Sequence, residues 1–211
     1  MAIEIDEAAA PRRRRKEARP GEIIEAGLAE FSARGFAAAK LDDVARRAGI
    51  AKGTIYRYFP SKEALFEAAV LSREAPLAEE IERVIDAFPG PAADLLRLVI
   101  LELYARIFRP DLQTLIRIVI SEGGRHPAIA AFYHRQIVGM GRRLLGRIVA
   151  RGIASGEFRD GAVAQMPMIL VAPAMMATIW KMTFDAFEPL DMEPFAAAHI
   201  ELVLDGLRVR S

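Results

Sequence analysis

Residues 35–70 read GFAAAKLDDVARRAGIAKGTIYRYFPSKEALFEAAV, and the punctuation of this stretch decides the fold. A short helix is expected from about Leu41 to Ala48, with Asp42 and Asp43 in its first turn, where the helix dipole favours anions. Gly49 ends it, and Ile50 and Ala51 make the turn. A third short helix then covers Lys52 to Phe59 until Pro60 halts it. Ser61 stands at the cap of a long fourth helix carrying Leu65, Phe66, Ala69, Val70, Leu77, Ile81 and Ile85, with Pro76 in its middle. Two short helices joined by a glycine-containing turn, supported by a helix on each side, have the layout of a helix-turn-helix unit. An ordinary helical hairpin shares that outline, so the side chains have to decide.

They divide into two sets. Val44, Ala45 and Ala48 face inward, small alanines letting the short helices cross closely, and Ile50, Ile55 and Phe59 fill the rest of the core. The outer face of the third helix is left with Lys52, Gly53, Thr54, Arg57 and Tyr58, a mixture of donors, bare backbone and an aromatic hydroxyl. A helix with small residues at its start can enter a DNA major groove about 12 Å wide and offer such groups to base edges.

Upstream, a first helix begins near Pro20, places Ile23, Ile24, Leu28 and Phe31 on one face and stops near Gly35. Residues 1–18 are polar, Ala/Arg-rich and lack an apolar face, which predicts a disordered basic arm. Its run Arg12 to Lys16 is either solvated or laid along an adjacent minor groove; each phosphate neutralised there would steepen the log–log salt dependence by roughly 0.9. Charge is segregated along the chain. Residues 11–62 hold 13 Lys/Arg against 6 Asp/Glu, whereas residues 63–211 hold 16 against 19, as suits a protein that turns one end to a polyanion.

Downstream, helical periodicity continues over about 92–108, 111–122, 127–155, 160–184 and 191–208, separated at Arg109-Pro110, Gly123-Gly124, Gly156 and Glu188-Pro189. The whole reads as all-α, about nine helices, with no alternating strand pattern. The chain has 53% hydrophobic residues, enough for a large core and a buried subunit contact. It has no cysteine, hence no disulfide, thiol nucleophile or cysteine metal site, which suits a cytoplasmic location. The most apolar run, Met166 to Trp180, is broken by two prolines and falls short of the roughly 20 residues needed to cross a bilayer, and no secretory signal precedes it. No membrane partner is expected.

On the residues quoted, the chain resembles the TetR family of bacterial regulators. Residues 42–66, DDVARRAGIAKGTIYRYFPSKEALF, follow that family's pattern nearly throughout, and Ile23, Ile24, Leu28, Phe31, Gly35 and Phe36 match its preceding helix. The resemblance implies a helix-turn-helix DNA-binding domain over 19–66 and a helical ligand-binding and dimerisation domain over 67–211. It also implies double-stranded operator DNA, a second copy of the chain and a small apolar or amphipathic effector as partners, with no cofactor. Lys52, Gly53 and Thr54 would lie nearest the bases, Tyr56 and Tyr58 would reach phosphates or sugars, and Lys62 would bind a phosphate. Bidentate reading of guanine would fall to Arg57. Two positions depart from the pattern. Lys40 replaces a threonine that caps the second helix and touches phosphate, so a charge remains there but the cap is lost, and Ala51 replaces a serine.

Beyond about residue 70 only length, helix count and placement carry the resemblance. Candidate ligand contacts are Tyr104, Phe108, Phe132, Tyr133, Met140, Met168, Met175 and Met176, because aromatic and thioether groups mould to flexible apolar molecules, with Arg117 and Gln136 as polar anchors. An aromatic and Met-rich helical face is, however, more often plain core, and Arg117 and Gln136 more often belong to an exposed face. The last two long helices should form the subunit contact through Ile169, Trp180, Phe184, Phe195, Ile200, Val203 and Leu207. A two-fold dimer also meets a geometric need, since two recognition helices must reach major grooves about 34 Å apart. A ligand among the middle helices would then shift the fourth helix and the spacing of the two heads.

An enzyme is the rival class. Gly139-Met140-Gly141-Arg142-Arg143-Leu144 has the outline of a dinucleotide loop but lacks the third glycine and follows no strand. The three histidines form no pair at helical spacing, so no metal site is expected. A helical ligand-binding or interaction protein that never touches DNA is the other alternative.

Overall fold

The computed structural model describes the backbone of residues 10–209 and the side chains of residues 20–209. Eleven α-helices occur among the described residues: α1 Ala10–Ala38, α2 Leu41–Arg47, α3 Lys52–Tyr58, α4 Lys62–Ala87, α5 Ala92–Ile107, α6 Pro110–Glu122, α7 Pro127–Tyr133, α8 Gly139–Ala154, α9 Ala162–Gln165, α10 Ala172–Thr183 and α11 Met192–Leu207. The only extended pairing among them is one antiparallel bridge, Phe158 with Arg208. The all-α expectation holds. None of these helices is long and apolar enough to cross a membrane.

Local chemistry explains the first four elements. Gly35 sits at φ 74° and interrupts α1, and Gly49 at φ 65° turns α2 into α3, both in a region that side chains with a Cβ rarely adopt. Ser61 caps α4, its Oγ accepting from the Ala64 N–H at 3.1 Å. Neither Lys40 nor Ala51 supplies a side-chain cap to α2 or α3, as the two departures from the family pattern require. Ile23, Leu28, Phe31, Phe36, Val44, Ala45, Ile55 and Phe66 are buried together as the core of this head.

Three elements differ from the sequence expectation. The first helix starts at Ala10 instead of near Pro20, so part of the predicted disordered arm is helical; its Ala, Arg, Lys and Glu residues are good helix formers, and Pro20 is accommodated inside. Residues 1–9, and the side chains of Arg12 to Lys16, lie outside what is described. The single helix expected over 127–155 is α7 and α8 joined through a π turn at His134–Val138. The helix expected over 160–184 is three pieces, α9, a 3₁₀ segment Pro167–Val171, and α10, because Pro167 and Pro173 each start a new helical segment.

The head core does not stop at α4. Leu112, Leu115 and Ile118 of α6 and Ile129 and Phe132 of α7 belong to the same apolar cluster. A second cluster joins the end of α4 to α5, α8, the 3₁₀ segment, α10 and α11 through Ile85, Leu95, Ile100, Leu145, Ile148, Leu170, Ala177, Ile200 and Leu207. α8 presses so closely on the following turn that a Cβ at Gly152 would overlap the Phe158 ring. Glu157 in that turn accepts from the Ala92 and Ala93 N–H groups at 2.9 and 3.1 Å, capping α5, where Pro91 offers no side-chain acceptor.

Candidate functional site

α3 turns its apolar side wholly inward, with Ile55 at 0% exposure, and leaves Lys52, Gly53, Tyr56 and Arg57 exposed and Thr54 and Tyr58 half-buried. A Cβ at Gly53 would meet nothing within 4 Å, so no packing inside the chain demands glycine there. The helix start is open on that side. Lys52 Nζ donates to Asp42 Oδ2 at 2.7 Å and Tyr56 OH donates to Asp42 Oδ1 at 3.2 Å. Those contacts, with the hydrogen bond from Lys52 foremost, hold the Asp42 carboxyl below its usual range and raise the Lys52 ammonium. Asp42, legible in the sequence only as a first-turn acid, thus organises two groups on the outer face of α3. The Arg57 guanidinium carbon lies 5.4 Å from the Tyr58 ring centroid and, among the described residues, pairs with no carboxylate.

The other predicted basic groups stand differently. Lys40 is exposed and its side chain caps nothing. Lys62 is largely committed: its ammonium donates to the Phe36 and Ala37 carbonyls at 2.8 and 2.9 Å and lies 4.6 Å from the Phe36 ring centroid. Two of its three donors therefore close the end of α1 and one is left for any other acceptor. Arg34 and Arg47 converge on the buried Glu30, with Arg47 Nη2 at 3.1 Å and Arg34 Nε at 3.0 Å, which ties α2 to α1. Sequence reading missed this lock, whose members lie on separate helices.

Among the middle helices lies a cavity of about 160 Å³, walled by Leu77, Ile81, Val99, Leu103, Ile116 and Leu144 and edged by Glu74, Glu102, Arg106 and Tyr133. Of the predicted ligand contacts it gathers only Tyr133 and Met140. Tyr104 is instead buried against His199, its hydroxyl 3.0 Å from Nδ1, while His199 Nε2 lies 2.9 Å from the Leu170 carbonyl. Leu170 O can only accept, so Nε2 carries the proton and Nδ1 accepts from Tyr104. Burial holds His199 below its usual range and pushes the Tyr104 hydroxyl up to about 12. Phe108 stacks on Tyr104, and Phe132 belongs to the head core. Arg117 and Gln136 are exposed, as are Met168 on the 3₁₀ segment and Met175 and Met176, which α10 turns away from the chain's own core. Glu74 and Arg106 escaped the sequence reading because charged residues on a helix usually mean a solvated face.

The predicted subunit contact is also divided. Ile200, Val203 and Leu207 are buried inside the chain, and Phe195 is half-buried against Tyr104, so these four pack inward and do not form an outer face. Trp180 is half-buried and donates through Nε1 to the Glu188 carbonyl at 2.8 Å. Ile169 and Phe184 remain outside, at 49% and 43% exposure, with Met175, Met176, Ile179 and Leu202 also exposed. These exposed apolar side chains sit on the 3₁₀ segment, on α10 and its end, and on α11.

Comparison with known proteins bears on this arrangement. Residues 23–69 match the family described as bacterial regulatory proteins, tetR family, and residues 92–193 match the tetracyclin repressor-like C-terminal domain. YhgD of Bacillus subtilis, an HTH-type transcriptional regulator, is 30% identical over 189 residues, covering 88% of this chain and 94% of that protein. The HTH-type transcriptional regulator SrpR of Pseudomonas putida is 42% identical over 55 residues, and the match spans 26% of each chain. In structure, the transcriptional regulator FadR of Bacillus subtilis, solved in complex with stearoyl-CoA, superposes with a TM-score of 0.73 at 22% identity, covering 88% of this chain and 98% of that one.

Proposed function

This chain belongs to the tetR family of bacterial regulatory proteins, and from that premise we propose that it is a transcriptional repressor that binds a palindromic operator as a homodimer and releases it when a small ligand enters the cavity. The observation that carries the reading is α3 itself, a short helix whose apolar side is fully buried while Lys52, Gly53, Tyr56 and Arg57 stand exposed on the other. Residues 19–66 act as the DNA-binding domain and residues 67–211 as the sensing and dimerising one. Thr54 and Arg57 address base edges, Lys40, Lys52, Tyr56 and Tyr58 address the backbone, and Lys62 serves chiefly to fasten α1.

The exposed apolar side chains of α10 and α11 support the subunit contact, and that FadR carries stearoyl-CoA supports ligand binding in the body. α6 offers a route between cavity and head. Leu112 and Ile116 line the cavity, while Leu115 and Ile118 of the same helix are in the head core. A ligand acts only by binding one arrangement better than the other; a difference of about 1–3 kcal/mol changes operator affinity roughly 5- to 150-fold. The test is a mobility shift on the DNA flanking the chain's own gene, with Arg57→Ala as control. A shift by the wild type that the variant loses is expected. A protein indifferent to duplex DNA at low salt would instead be a helical ligand-binding protein.

A further inference from the structure

Resting on the reading of the body as a sensing domain, we infer that the cavity takes an amphipathic cation: a protonated or quaternary amine at Glu74, with an apolar body between α4, α5, α6 and α8. The cavity's walls are aliphatic and its few polar groups do not balance. Arg106, its one cation, is already occupied, donating through Nε to Glu102 and through Nη2 to Glu80 at 2.9 Å. Asp111, nearby on α6, is taken by Arg73 at 2.7 Å and by Arg109 at 3.2 Å. Tyr133 is neutral, its hydroxyl pushed up by burial and by Glu74. Glu74 is the exception. It is half-buried at the cavity wall and, among the described residues, makes no hydrogen bond or ion pair. Burial raises its carboxyl more than the field of Arg106 lowers it.

A carboxylate on an apolar wall with no ion pair of its own, the nearest cation Arg106 being held by Glu102 and Glu80, is the electrostatic complement of a cation and repels an anion. Arg106 offers an anion little, because a new carboxylate would have to displace Glu102 or Glu80. Arg117, the sequence's candidate partner for a ligand carboxylate, lies at the surface. The cavity's size is that of an apolar void of about 150 Å³ that accommodates one benzene ring, so the ligand's apolar part is a ring or short branched chain.

Three probes that share a benzyl group test this in the full-length protein by titration calorimetry: benzyltrimethylammonium, its uncharged isostere neopentylbenzene, and the anion phenylacetate. The cation should bind at least tenfold tighter than the isostere, and phenylacetate should be weakest. Glu74→Gln should bring the cation to the level of the isostere without changing the isostere's own affinity, which also reports that the variant is folded. Glu74→Lys should invert the ranking. Should either variant fail to fold, the wild-type ranking alone decides. Equal affinities, preference for phenylacetate, no binding of the cation, or a cation preference that survives Glu74→Gln would each overturn the inference. Operator binding by the unliganded protein is independent of all four, so its failure would strike the regulatory reading instead.

Discussion

Replacing Asp42 by Asn should strengthen DNA binding, although Asp42 helps to organise the α3 surface. In the free protein its carboxylate pairs with Lys52 Nζ at 2.7 Å, so the start of α3 presents a nearly neutral pair where the proposed phosphate contact would form. Asparagine keeps the shape and an acceptor for Tyr56 but removes the charge, leaving each Lys52 of a dimer unopposed. Each additional phosphate neutralised on duplex DNA changes the slope of log K against log salt by about −0.9. Two heads give about −1.8, which between 1 M and 0.1 M salt corresponds to at most about 60-fold in affinity. Fluorescence anisotropy on a labelled duplex of arbitrary sequence, from 50 to 300 mM salt, reads slope and affinity together. Adding Lys52→Ala to Asp42→Asn should return the slope to the wild-type value. A slope unchanged or shallower in Asp42→Asn would show that Lys52 does not exchange Asp42 for phosphate, and the reasoning would fail.

Two further outcomes follow from the body. Tyr104→Phe removes the donor to His199 Nδ1 and leaves a buried acceptor unpaired, which should cost about 1–3 kcal/mol in a denaturant titration. Because His199 is held below its ordinary value of 6.5, the folded chain binds fewer protons than the unfolded one over the interval between the two values. Its contribution is complete above that ordinary value and is lost as pH falls below it, with a slope of up to about 1.4 kcal/mol per pH unit that His199→Gln should remove. On the outer face of α10, the pair Met176→Glu and Ile179→Glu should give a monomer by light scattering that no longer shifts DNA but melts cooperatively; a persistent dimer would place the subunit contact elsewhere.

The head was legible because its signals are local and punctuated. Gly35, Gly49, Pro60 and Ser61 each end or start an element by their own backbone chemistry, and Ile55 and Phe59 mark the inward side of a helix of only seven residues. The body was not, for a reason visible on α11. Leu202 is 66% exposed while its neighbour Val203 is 5% exposed, yet the two are equally apolar. A helix apolar on both sides does not declare which stripe meets its own core and which meets a partner. The cavity posed the opposite difficulty: its distinguishing residue, Glu74, is a charged residue between Arg73 and the helical stripe of Leu77 and Ile81, and only the approach of α5, α6 and α8 turns it from a surface acid into a wall.

The same neighbourhood suggests how occupancy of the cavity would reach DNA. Arg73, adjacent to Glu74 on α4, donates to Asp111 on α6 and to Glu25 on α1, so three helices meet at one guanidinium. One residue lines the ligand space and the next fastens the head to the body. Pro76 follows within the same turn; it cannot donate to the Ser72 carbonyl, so α4 lacks one of its own hydrogen bonds between its head half, with Phe66 and Val70, and its body half, with Leu77 and Ile81. A helix bends most readily where its ladder is incomplete. In the proposed dimer, a ligand that fixes Glu74 would therefore act beside the weakest turn of α4, and the angle taken there, transmitted through Arg73 to α1, would set how far apart the two copies of α3 stand.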